Sequence, residues 1–137
     1  MRKPFVLIAL AGAVAVVGAS LWRGLAPVAP PVDTVAALVI PELVGDAVVG
    51  ARAYEAKCAS CHGVNGVGVE GAGPPFLHRI YEPSHHGDGA FYLAAMNGVR
   101  AHHWPFGDMP AVNGLTEAEV ATIVVYVRNL QAANGIF

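Results

Sequence analysis

The run Cys58-Ala59-Ser60-Cys61-His62 constrains this chain more than any other feature. It holds the only two cysteines and follows them at once with a histidine. On a helical turn, residues three and four apart share a face, so Cys58, Cys61 and His62 project to one side. Two thiols and an imidazole aimed at one spot serve few purposes. A redox-active dithiol pair goes with a thioredoxin-like βαβ context, and no alternating strand pattern persists here for more than a few residues. A zinc site needs two further Cys or His ligands at regular spacing, whereas the other histidines are His78 and two adjacent pairs, His85-His86 and His102-His103. A structural disulfide across two residues is rare.

The arrangement matches the C-x-x-C-H pattern of c-type haem attachment. Cys58 and Cys61 would bond the two vinyl groups of one haem c, and His62 would reach its iron. The position of the motif matters too. Haem-binding four-helix bundles can carry it near the C-terminus, but here more than seventy residues follow it.

The surrounding pattern is helical, with long loops. Asp46 to Lys57 reads as a helix with Asp46 at the N-cap and no proline inside. Glycines at 63, 66, 68, 71 and 73 make the next stretch a loop. Asp88 to Asn97 reads as a second helix, capped by Asp88 and ended by Gly98. The last helix is the best marked: Thr116 and Glu119 form a capping box, and Val120, Ile123, Val124, Val127 and Leu130 recur at helical spacing. Folding from Asp46 onward leaves about ninety residues for a core, few enough that a buried cofactor would help.

With these residues in view, the chain resembles a class I cytochrome c: an all-α fold of three to four helices with long loops around one covalent haem. Gly50 and Tyr54, one turn apart before Cys58, resemble the small-residue and aromatic pair of the family's first helix. The resemblance implies that this helix crosses the last one, with Tyr126 as the matching aromatic. Gly73-Pro74, twelve residues after His62, resembles the family's glycine-proline motif. It implies that the Pro74 carbonyl accepts a hydrogen bond from His62 Nδ1, fixing the imidazole and raising its basicity. Phe76 would then pack on the haem.

Met109-Pro110 resembles the family's distal methionine segment, which implies Met109 as the second axial ligand. Of the other methionines, Met1 lies at the N-terminus and Met96 sits on an apolar helix face, where it reads as core filling. The histidines depart from the family pattern. His78, His85, His86, His102 and His103 all lie in the distal half, where any could ligate iron or hold copper or zinc. The preferred reading is plainer: they bond loop carbonyls and propionates, with His102-His103-Trp104-Pro105-Phe106 forming a distal wall.

The N-terminus carries a separate expectation. Arg2 and Lys3 precede an uncharged run, Phe5 to Trp22, which Arg23 closes. Residues 1–23 thus read as a signal peptide or N-terminal membrane anchor, and Trp22 with Arg23 favours the anchor. Residues 24–45, with Pro27, Pro30, Pro31 and Pro41, read as a semi-stiff linker, leaving residues 46–137 as the cytochrome c domain. From residue 24 on, five basic residues face ten acidic ones, a net charge of −5, which speaks against nucleic acid.

The expected function is that of a mono-haem carrier, not an enzyme in its own right, though it could serve as a subunit of an oxidase or dehydrogenase. It would shuttle single electrons between redox partner proteins on the periplasmic side of a bacterial inner membrane. The alternative is a gas- or metal-responsive haem protein with a displaceable distal ligand.

Overall fold

A computed structural model describes residues 37–137. Four α-helices follow in order: α1 (Asp46–Lys57), α2 (Ala59–His62), α3 (Asp88–Asn97) and α4 (Glu117–Ala133). Two 3-10 turns, Val64–Gly66 and Arg79–Tyr81, lie between α2 and α3. Among the described residues there is no sheet, only the isolated antiparallel bridges Val69–Gly73 and Val99–Met109. The all-α expectation therefore holds.

The expected signal or anchor, residues 1–23, lies outside the described residues. Among the described residues no helix is long and apolar enough to cross a membrane. The longest, α4, has 17 residues and carries Glu117, Glu119 and Arg128. At about 1.5 Å per residue it spans about 26 Å, short of the ~30 Å hydrocarbon core. The expected partnership with a membrane through an N-terminal apolar anchor helix is corrected accordingly, and no membrane partner is assigned.

The core forms where α1 crosses α4, the most extensive helix pairing in the domain. Tyr54 from α1 joins Val120, Ile123, Val124, Tyr126, Val127 and Leu130 from α4, all buried. Gly50 sits at the crossing, where a Cβ would overlap the carbonyl of Thr122. The two backbones approach so closely that no side chain fits between them. Tyr54 and Tyr126 pack with ring centroids 5.2 Å apart. Their hydroxyls donate to the Gly63 carbonyl at 2.9 Å and to Asn65 Oδ1 at 3.1 Å, fastening the loop after α2 to the crossing.

Capping distinguishes the helices. Thr116 and Glu119 form the expected capping box on α4. Asp46 and Asp88 are first-turn residues rather than caps: the caps are Gly45 and Gly87, and neither helix has a side-chain cap bond. Each carboxylate still lies favourably at the positive end of its helix dipole. Ahead of α1, Val39 pairs through its backbone with the Asn134 amide, at 3.0 Å and 2.8 Å.

A buried polar group on α4 organises the opposite side. Gln131 is fully buried, and its Nε2 donates to the carbonyls of Phe76 and Tyr81 at 2.9 and 3.1 Å. Arg128 donates to Gln131 Oε1, to the carbonyls of Tyr81 and His86, and to Asp88 Oδ1. Its guanidinium also lies 4.9 Å from the centroid of the Phe91 ring. One side chain thereby ties α4 to the 81–88 loop and to α3. The exposed ion pair with Asp88 contributes little by itself; the bonds to carbonyls, which water would otherwise satisfy, fix the loop.

The backbone contact at Gly50 makes the crossing intolerant of volume. Gly50→Ala should destabilise the folded protein by about 2–3 kcal/mol, the upper range for overpacking. Chemical denaturation followed by circular dichroism would measure it, and a loss below ~0.5 kcal/mol would show that the helices can part at little cost.

Candidate functional site

The motif cysteines sit at a break between helices. Cys58 ends α1, its N–H bonded to the Tyr54 carbonyl, and its φ of −119° lets α2 start in a new direction. His62 N–H donates to the Cys58 carbonyl at 2.9 Å, which places Cys58 and His62 one turn apart. Both line a cavity of ≈ 380 Å³. Cys61 is exposed and is not among the residues lining that cavity; both thiols are free. Burial, and then the neighbouring Cys61, push the Cys58 thiol up to about 11. A redox-active dithiol needs the opposite shift.

His62 is 7% exposed. Its Nδ1 lies 3.0 Å from the Pro74 carbonyl, which can only accept, so Nδ1 carries the proton and Nε2 keeps its lone pair. Burial lowers the His62 pKa, and the Pro74 bond opposes this more weakly. The result is a neutral, oriented imidazole, the form that binds a metal. Phe76 stacks on it with centroids 4.2 Å apart and planes 18° from parallel. Pro74 and Phe76 also line the cavity.

Met109 lines the same cavity from the loop between α3 and α4. Its backbone pairs with Val99 through two hydrogen bonds of 2.9 Å. Gly98 makes this possible. It ends α3 with φ of 77°, and a Cβ there would come within 2.6 Å of the Met109 carbonyl. Asp108 Oδ1 accepts from the Ala101 N–H at 2.8 Å and closes the loop. Met96, read from sequence as core filling, is 37% exposed and lies outside the cavity wall. The apolar surface of α3 goes instead to the cavity: Ala90, Phe91, Ala94 and Ala95 line it, and no residue of α3 is fully buried.

The walls fit a large apolar group with polar edges. Trp104, also in the wall, has a buried Nε1–H with no hydrogen-bond partner. An unmet donor there suits an anionic group at the rim of such a ligand, and haem propionates are of that kind. Burial raises the nearby Tyr81 phenol and the Trp104 indole pulls the other way, although no bond of acceptable geometry joins them. The donor set also suits haem iron, because an imidazole nitrogen and a thioether sulfur reach one cavity from separate segments.

The remaining histidines divide in two. His78 accepts from the Ile80 N–H through Nδ1, where a bond to a loop carbonyl was expected, and packs edge-on against Trp104, 4.9 Å between centroids. His85, His86, His102 and His103 gather in one cluster, with ring centroids of neighbouring pairs 4.3 to 6.0 Å apart. His103 is held below the ordinary imidazole value, by desolvation and then by the other three rings. The sequence placed residues 85–86 and 102–103 in the same distal half, and the structure brings their rings into contact. Arg128 and Gln131 also escaped the sequence reading, though Gln131 had a signal: it continues the apolar stripe of Val124 and Val127 as its only polar member.

No curated protein matches the chain. The family model for cytochrome c matches residues 47–131, from the first turn of α1 to Gln131. Members of that family carry haem c on a cysteine pair and are typically electron carriers without catalytic activity of their own. With the match spanning the crossed helices, the C-x-x-C-H turn and the Met109 loop, the chain belongs to the cytochrome c family.

Proposed function

We propose that residues 46–137 form a mono-haem electron carrier in which Cys58 and Cys61 hold haem c by thioether bonds and His62 and Met109 take the two axial positions. The observation that carries this reading is that His62, its Nδ1 committed to the Pro74 carbonyl, and Met109 line one cavity. When bound, haem c supplies a one-electron Fe(III)/Fe(II) couple. The protein's part is to hold and shield it. Pro74 fixes the imidazole through its carbonyl and Phe76 through stacking, while the apolar faces of α3 and α4 exclude water. The thioether of Met109 is a soft, neutral ligand that favours the reduced state and raises the potential.

Held by His62 and Met109 together, the iron would have no open coordination site for a substrate, which suits a domain that passes electrons between protein partners. Its net negative charge suits partners with a basic docking face. The basic and apolar segments at the start of the sequence support export to the periplasmic side, with residues 24–45 as a linker.

The purified oxidised protein should show a c-type spectrum with the weak far-red band of methionine bound to Fe(III). In Met109→Ala that band should vanish, the c-type spectrum should persist, and the ferrous protein should gain CO binding. A wild-type protein lacking the band, or a variant keeping it, would remove Met109 from the iron.

Attachment should matter to folding as well, because a domain this small buries little surface without its cofactor. Cys58→Ala, Cys61→Ala should lose most of its helical circular dichroism at 25 °C. Native-like ellipticity in that variant would mean that the polypeptide core suffices.

A further inference from the structure

The four clustered histidines come from two loops that the sequence keeps well apart. We propose that His85, His86 and His103 bind one divalent late transition-metal ion, Cu(II) or Zn(II), in the wall of the haem cavity. The ligand atoms of these three side chains lie within 4.8 Å of one another. His85 Nε2 and His103 Nε2 are 3.4 Å apart. Tetrahedral coordination with metal–nitrogen bonds of about 2.0–2.1 Å puts neighbouring nitrogens about 3.3–3.4 Å apart, so this pair is already at ligand spacing.

The middle ligand is held in place. His86 Nδ1 lies 2.6 Å from the Ile80 carbonyl, which leaves Nε2 free to bind. Its own carbonyl accepts from Arg128, which fixes the loop to α4. An Nδ1–H bond to a backbone carbonyl is the usual arrangement behind a metal-binding histidine, because it sets the tautomer and raises the basicity of Nε2. His102 has the same arrangement, with Nδ1 2.8 Å from the Arg100 carbonyl, and packs against His103. His85 and His103 are exposed, so their rings can turn to close the remaining distance.

The chemistry of the set narrows the ion. Imidazoles alone, with no carboxylate among them, suit Cu(II), Ni(II) and Zn(II) and disfavour Mg(II) and Ca(II), and Cu(II) leads the affinity order.

The location ties the ion to the haem, a link that rests on the function proposed above. His86 and His103 line the same cavity as His62 and Met109. A divalent charge in that wall favours the electron-rich state of a bound redox centre and moves its potential positive. By thermodynamic reciprocity, reduction would then tighten metal binding.

The test uses the full-length holoprotein without a polyhistidine tag. Titration calorimetry with Zn(II) should show one equivalent bound, and Cu(II) should give an electron paramagnetic resonance signal with nitrogen coupling. His85→Ala, His103→Ala should weaken binding by about 100-fold or more. His85→Ala alone, at a residue outside the cavity wall, should keep the wild-type haem spectrum and still weaken binding, and His78→Ala should bind as wild type does. The midpoint potential should rise on adding Zn(II) in the wild type and stay put in the double variant. No stoichiometric binding, or binding that survives in the double variant, overturns the site. Binding with an unmoved potential keeps the site and overturns its link to the haem. If the protein carried no haem, the calorimetric result would still decide the site.

Discussion

Everything in this domain depends on one backbone contact, the crossing of α1 over α4 at Gly50. Helices separated by ordinary side chains sit 8–10 Å apart; here the Thr122 carbonyl occupies the place a Cβ would take. The crossing sets where α1 ends, and α1 ends at Cys58. It also buries Tyr54 and Tyr126, whose hydroxyls tie down the loop beyond His62. A helix pair without chemistry of its own thus positions the residues that have it.

The opposite side of the cavity is built differently. Its loops carry little buried surface, so polar bonds and a tight backbone approach hold them. Gly98 brings the Met109 loop against the end of α3, and Arg128 with Gln131 collects the carbonyls of Phe76, Tyr81 and His86. A buried glutamine is tolerable on an apolar helix face only because both ends of its amide find partners. The price of that buried group is repaid in loop geometry.

These two modes of support explain the shape of the site. The proximal side is rigid because a helix turn and a proline carbonyl define His62, and burial keeps its imidazole neutral. The distal side gathers groups from residues 81–109, so sulfur, indole and imidazole donors share one wall. The unmet Trp104 Nε1–H and the apolar face of α3 suit a large ligand with an anionic edge.

Much of this was legible in the sequence, and the limits follow from range. The helices α1 and α3 were readable from the acidic residues that open them, the absence of proline in α1 and Gly98 after α3; only their caps were misplaced, since Gly45 and Gly87 hold those positions without a side-chain bond. The capping box, the C-x-x-C-H turn and its haem chemistry are local patterns, carried by residues within four positions of each other. Met96 was misjudged because an apolar face does not say whether it meets a core, a cavity or water. The Gln131–Arg128 clamp and the meeting of His85-His86 with His102-His103 join segments 16 or more residues apart. Sequence alone determined the elements and the attachment chemistry, because these depend on neighbours along the chain. Tertiary structure alone decided which loops converge on the cavity, because that depends on how closely two helix backbones can approach and which carbonyls are left to bond.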